Sequence, residues 1–208
     1  MSTTTARISF EGLSRAGVAL SGTAVYALFA WVHGLTFVSN PRPSVALIVL
    51  LETLVAAFLV ARRSSDSTSR ATWDWMVTIS STFAPLLLRP AQELGDRVAG
   101  EAVQMTGIAL AVLAVLSLNR SIGLVPAHRG VKTQGLYRFV RHPLYLAYSL
   151  AQIGYLASNF TAWNVLVVVV AFALYVVRIE SEEKLLSRYP DYRAYQARTR
   201  WRIVPCIY

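Results

Sequence analysis

Charge and cysteine are what this sequence has least of. Asp, Glu, Lys and Arg make up 15% of its 208 residues, against about 25% in a soluble domain. So little charge does not cover a water-facing surface. The single cysteine, Cys206, excludes an internal disulfide and a cysteine-based metal cluster. Acidic residues are the scarcer sign, eleven against twenty basic. In a soluble chain that excess would point to nucleic acid; in a membrane chain it reports loops facing the cytoplasm and anionic lipid. Neither nucleic acid nor a metal is an expected partner. The opening "MSTTTARISFEGLSRAG" lacks the short apolar region and small-residue cleavage site of a signal peptide, so targeting is expected to rest on the first span.

What is abundant is apolar. Hydrophobic residues reach 55% and the mean hydropathy is +0.46. Several runs approach the ~20 residues that cross a bilayer as a helix. Six spans are read at roughly 16–38, 44–61, 73–89, 98–118, 143–158 and 161–179. The third and fifth are short, and five crossings result if one of them stays on the surface. The expected fold is therefore all-α: a polytopic integral membrane helical bundle forming one domain, 1–208. Polar stretches such as "SNPRP" and "RRSSDSTSR" separate the spans, and "LASNFTAW" is short enough to make the last two an antiparallel pair. With both termini inside, seventeen basic residues fall on the inner side and three, Arg42, Arg89 and Arg97, on the outer. This asymmetry predicts an inner-membrane (cytoplasmic membrane), multi-pass protein with both termini and the 119–142 loop in the cytoplasm.

The unusual chemistry lies on that side. "GLYRFVRHPLYLAY" sets Arg138, Arg141 and His142 directly before Pro143 and an apolar run. Some 35 residues later, "RIESEEKLLSRYPDYRAYQARTRWRIVPCIY" puts Arg178 and Glu182 at i and i+4 on one helix face. Pro190 disfavours a helical Tyr189, and a second short amphipathic cytoplasmic helix is expected at about 191–200. Its aromatics and arginines suit a membrane interface. On that reading Tyr189, Tyr192 and Tyr195 are interface anchors.

"GLYRFVRHPLY", then "R-x-x-x-E-E-x-x-L" and "Y-x-x-Y", with "GLVPAHRGVKTQG" upstream, resembles the isoprenylcysteine carboxyl methyltransferase and phospholipid methyltransferase superfamily in its bacterial form. The resemblance covers about 104–208; residues 1–103 carry no such signal and stand as a variable N-terminal part. It implies an integral membrane S-adenosylmethionine-dependent methyltransferase. The cofactor would sit on the cytoplasmic side, between the pre-helix loop and the C-terminal helix. The implied cofactor-binding residues are Tyr137, Arg141, His142, Pro143, Tyr145, Arg178, Glu182 and Glu183, with Arg141 and Glu182 as the catalytic candidates.

The residue types suit that ligand. Glu182 or Glu183 can accept from ribose hydroxyls or the ammonium. Arg141 or a free N–H at the helix start can hold the carboxylate. Tyr137 and Tyr145 can bracket the adenine or face the sulfonium, a cation drawn to aromatic rings. Pro143 sits in the first helical turn, where proline is tolerated. The plainer reading makes Arg138 and Arg141 membrane anchors and the glutamates a solvated face. The acceptor is expected to be a hydrophobic or lipid-like molecule of isoprenoid carboxylate or phospholipid amine type, entering from the bilayer. A carboxylate acceptor needs no base; an amine must arrive deprotonated. Glu52, ionisable inside an apolar span, reads either as a polar helix contact or as part of the acceptor's passage. His33, His128 and Cys206 read as bystanders. Two alternatives are a membrane NADPH-dependent sterol-type reductase, whose ending "YRAYQARTRWRIVPCIY" resembles, and a non-catalytic membrane binding protein.

Overall fold

The computed structural model describes residues 10–65, 67–69, 71–91 and 97–208. Arg7 and Arg70, both counted in the charge balance, lie outside them. The described residues form seven α-helices in order: α1 Phe10–Ser39, α2 Pro43–Val60, α3 Thr72–Phe83, α4 Arg97–Leu118, α5 Pro143–Ser158, α6 Ala162–Leu186 and α7 Pro190–Arg198. A 3-10 turn, Ala84–Leu87, extends α3, and the only strands among the described residues are a two-residue antiparallel pair, Ser67–Thr68 (β1) with Ala127–His128 (β2). The chain is all-α.

Among the described residues, four stretches are long and apolar enough to cross a membrane: Leu20–Ser39, Pro43–Val60, Val98–Ser121 and Ala162–Leu186. Their outer faces carry bare hydrocarbon, as with Trp31 at 67% and Val38 at 82% exposed. Such faces fit lipid and not water. The protein is an integral membrane protein.

Local sequence sets the helix starts. Proline opens α2, α5 and α7, each after an extended or non-helical residue, because its missing N–H has no intrahelical partner to lose there. Thr161 caps α6, its hydroxyl accepting from the Asn164 N–H at 3.1 Å.

The 158–162 connection is as short as expected, yet the main neighbour of α5 is α4, and α6 leans on α3 and its 3-10 turn. Glycine explains the choice. A Cβ at Gly107 of α4 would lie 2.3 Å from the Ala151 N of α5, and one at Gly154 of α5 would lie 2.2 Å from the Gln104 N of α4. The two backbones therefore touch, as small residues permit inside a membrane. The α6 run "NVLVVVVAFALYVV" has no glycine, and its branched side chains hold neighbours further away.

The bundle has two distinct ends. At one, the Arg63 N–H donates to the Arg120 carbonyl at 2.8 Å, Arg120 Nε to Ala61 at 2.6 Å, and the Arg141 N–H to Trp201 at 2.9 Å. At the other, the N–H groups of Arg89 and Ala91 donate to the side chains of Asn164 and Asn159, each at 3.0 Å. The motif residues share the end holding the 119–142 loop and the tail.

Candidate active site

The pre-helix loop is held by the tail that follows α7. His142 donates its N–H to the Arg202 carbonyl at 2.7 Å, beside the Arg141–Trp201 bond. Arg141 Nη1 donates to the carbonyls of Thr199 and Arg200 at 3.0 and 2.9 Å. Residues 199–202 therefore lie across the mouth of α5 as a strap.

Glu183 is the hub beneath it. Its Oε1 accepts from Arg141 Nε, His142 Nε2 and the Tyr192 hydroxyl, each at 2.8 Å, and its Oε2 accepts from Gln196 Nε2 at 2.7 Å. It is buried, 6% exposed. A buried carboxylate is tolerated only when its lone pairs are filled, and four donors fill these. Two of the donors, Tyr192 and Gln196, come from α7, so one anion joins α5, α6 and α7.

Glu182 has the opposite situation. The Tyr145 hydroxyl donates to its Oε1 at 2.5 Å. Arg178 Nε lies 3.5 Å from Oε1 and His142 Nδ1 3.7 Å from Oε2. Its side chain keeps 21% exposure. Arg178 is fixed by bonds to the Leu124 carbonyl and, at 3.2 Å, to Ser81; its guanidinium lies 5.6 Å above the Tyr145 ring.

One cavity of about 600 Å³ joins these groups. Tyr137, Arg141, His142, Tyr145, Arg178 and Glu182 all line it, whereas Pro143 and Glu183 do not. Pro143 instead begins the helix, and Glu183 supports the wall from behind. The cavity continues among α1, α2 and α4 past Phe29, Leu51, Val55 and Ile108. One end is charged and the other apolar, the usual form of a small-molecule site.

The remaining residues singled out from the sequence fall as follows. Tyr192 and Tyr195 are not at an interface: they are 4% and 3% exposed. The Tyr195 hydroxyl donates to the Tyr137 carbonyl at 2.6 Å. Burial raises both phenols well above their ordinary pKa, and the Glu183 carboxylate adds to this, so both stay protonated donors. Tyr189 stacks on His128 at 3.9 Å and bonds Ser67 at 2.7 Å. His128 pairs with Asp191 at 3.0 Å, and Cys206 is exposed. Arg138 stands over the Phe139 ring at 4.3 Å. His33 and Glu52 form a pair at 2.9 Å and both line the cavity.

Sequence reasoning missed Arg129. It lines the cavity, and its Nε has no hydrogen-bond partner. Burial first, and the charge of Arg62 second, push its pKa down to about 10. It stays charged at neutral pH and has no ion-pair partner among the described residues. The readable signal was Gly123: a Cβ there would lie 2.3 Å from Arg129 Nη1, so the glycine makes room for the guanidinium.

No curated protein matches the chain. A family model does match, over less than half of it: residues 98–188 fit the Isoprenylcysteine carboxyl methyltransferase (ICMT) family. That segment runs from the start of α4 to just beyond α6 and includes the pre-helix loop, α5 and both glutamates, while α7 and the strap lie outside it. In the segment that builds the charged end of the cavity, the chain is isoprenylcysteine carboxyl methyltransferase-like.

Proposed function

We propose that this protein is an S-adenosylmethionine-dependent methyltransferase of the cytoplasmic membrane, acting on a hydrophobic or lipid-like acceptor of isoprenoid carboxylate or phospholipid amine type. The observation that carries the reading is the single cavity, polar where the motif residues meet and apolar among the spans. Residues 104–208 hold the methyl donor in this reading, and 1–103 shape the acceptor's chamber, all within one domain.

The residues fit the donor's chemistry. Glu182 is an acidic acceptor with exposure to spare, suited to ribose hydroxyls or an ammonium. The carboxylate of the donor has a cation in Arg129, half-buried and with no ion-pair partner among the described residues. Arg141 reaches the cavity too, but its Nε and Nη1 are taken by Glu183 and the strap, so its part is to hold the wall. Tyr137 and Tyr145 offer aromatic faces to adenine or sulfonium. When bound, S-adenosylmethionine would supply an electrophilic methyl group, which the acceptor would take by in-line attack at its carbon with S-adenosylhomocysteine as the leaving group. The chain's own contribution is positioning and water exclusion. The strap and the Glu183 hub keep the pre-helix loop still, and the apolar spans keep the acceptor dry.

The deciding measurement compares ligands on detergent-purified protein. A ligand that binds the native state raises its apparent stability by mass action. S-adenosylhomocysteine is expected to raise the melting temperature and NADPH is not. A shift with NADPH alone would establish the sterol-type reductase instead; a shift with neither would leave the non-catalytic reading.

The orientation belongs to the same proposal. α3 and α5 complete six crossings; the exposed Trp73, Met76, Ile79 and Phe83 give α3 a lipid-facing side. The end with the strap faces the cytoplasm, where α7 lies as the C-terminal amphipathic segment. On a Cys206→Ser background, single cysteines at Ser65 and Thr133 are expected to label from the cytoplasm, and one at Phe160 from outside. Labelling of all three from one side would refute the topology.

A further inference from the structure

Halfway along the α1–α2 hairpin a charged residue lines the apolar part of the cavity. Glu52 is 9% exposed, and Ile48, Leu51 and Val55 line the wall around it. An ionisable group at such depth is expensive and marks function more often than packing. Glu52 Oε2 is 2.9 Å from His33 Nδ1. Its Oε1 has no hydrogen-bond partner among the described residues. A contact serving only to join two helices would use neutral groups and leave no acceptor over.

The pair lies away from the methyl-donor residues, by a distance the helices measure. Arg178 is tied to the Leu124 carbonyl. The Leu124 side chain lies where a Cβ on Gly22 of α1 would point, with Leu59 of α2 beside it. Gly22 and Leu59 therefore stand at the level of Leu124, whose carbonyl the Arg178 guanidinium reaches. From Leu59 back to Glu52 is seven residues, about 10 Å of helix, and from Gly22 on to His33 is eleven, about 16 Å. Both steps run from the strap end toward the bundle's middle.

We infer that Glu52, oriented by His33, is a recognition site for the acceptor: it binds a hydrogen-bond-donating group, an ammonium or a hydroxyl, carried on the acceptor's hydrophobic body roughly 10–15 Å from the atom that is methylated. The inference rests on the proposed methyl-donor site for that spacing. Only a donor satisfies a carboxylate oxygen, which cannot donate in return. A plain alkyl or isoprenyl chain would leave Oε1 buried against hydrocarbon. A site built to bond an O–H or N–H discriminates far more strongly than one that reads methylene groups. His33 holds the carboxylate in place, and the acceptor's polar group completes it.

The test uses dodecylamine, dodecanol and dodecyl methyl ether, which share a chain and differ in whether the head group donates. Two measurements are made on the purified full chain. In the first, Glu52 of the wild type is modified with a hydrophobic carbodiimide and read by peptide mass. Dodecanol is expected to protect it and the ether is not, dodecylamine being left out of this arm because it would couple to the activated carboxyl; equal protection by the ether would overturn the proposal. In the second, thermal stabilisation by each compound is titrated for wild type and Glu52→Gln. The substitution is expected to weaken dodecylamine at least tenfold and to leave the ether unchanged. An unchanged amine affinity would reduce the pair to a clamp between α1 and α2. Should Glu52→Gln not fold, the carbodiimide result on the wild type decides alone. S-adenosylhomocysteine is titrated alongside without any alkyl compound. Its failure to bind would remove the methyl-donor reading while the alkyl series still decided the role of Glu52.

Discussion

Replacing Glu183 by alanine is expected to lower the stability of the protein by about 3–5 kcal/mol, the range for breaking a buried ion pair from one side. The substitution removes one anion and strands three donors, Arg141 Nε, His142 Nε2 and the Tyr192 hydroxyl, while Gln196 Nε2 keeps only its bond to Ser187 Oγ at 3.0 Å. The Arg141 guanidinium is the worst placed, because its side chain is 9% exposed and Glu183 is its carboxylate partner. Tyr192 and Gln196 lose their bonds to α6 together, so α7 and the strap should come loose as a unit. Unfolding in detergent measures the first effect, and limited proteolysis within 187–208 measures the second. Glu183→Gln keeps the shape and one acceptor oxygen but sets an amide against the Gln196 amide, so an intermediate loss is expected. A change below about 1 kcal/mol for the alanine variant, with the tail still resistant, would mean that the strap is held by its backbone bonds to 141 and 142 and not by this carboxylate.

Replacing the neighbouring Glu182 by glutamine is expected to spare the fold and weaken S-adenosylhomocysteine about tenfold to 150-fold. That range corresponds to the ~1.5–3 kcal/mol of a hydrogen bond to a charged group, at 1.4 kcal/mol per decade. Glu182 lines the cavity and keeps a fifth of its side chain exposed, so it has capacity for a ligand that Glu183 lacks. Glutamine preserves its size and its helix propensity, and the Tyr145 hydroxyl retains an acceptor. Isothermal titration on both variants makes the contrast sharp. The Glu183 variants lose stability first, and the Glu182 variant loses affinity at near-native stability. Wild-type affinity in Glu182→Gln would remove Glu182 from the site, whatever the family of residues 98–188.

What holds each of these adjacent glutamates was not legible in the sequence. Neighbours in a helix point about 100° apart, so "EE" guarantees that the two face different surroundings without saying which faces what. The answer depends on α7, which brings Tyr192 and Gln196 over one of them. The same packing turned Tyr192 and Tyr195 inward. An aromatic beside arginines reads as an interface anchor until a buried carboxylate and a free carbonyl, those of Glu183 and Tyr137, claim the hydroxyls. Arg129 escaped notice for the same reason: one arginine in a basic loop looks like the others until the fold sets it half-buried in the cavity wall with no ion-pair partner among the described residues.

What the sequence by itself determined is whatever depends on near neighbours and bulk composition. Low charge and long apolar runs require a helical membrane protein, since only helices satisfy their own backbone in lipid as they form. Proline and threonine at 43, 143, 161 and 190 mark where helices begin, and the spacing of Arg178 and Glu182 puts them on one face. The tertiary structure alone decided which helices pair, that glycines at 107 and 154 join α5 to α4 and not to its chain neighbour α6, and that His33, Glu52, Arg129 and Glu182 open on one cavity. These are contacts between residues tens of positions apart. They depend on how closely two backbones can approach and on which buried polar group finds a partner, and neither is written in any local stretch of the chain.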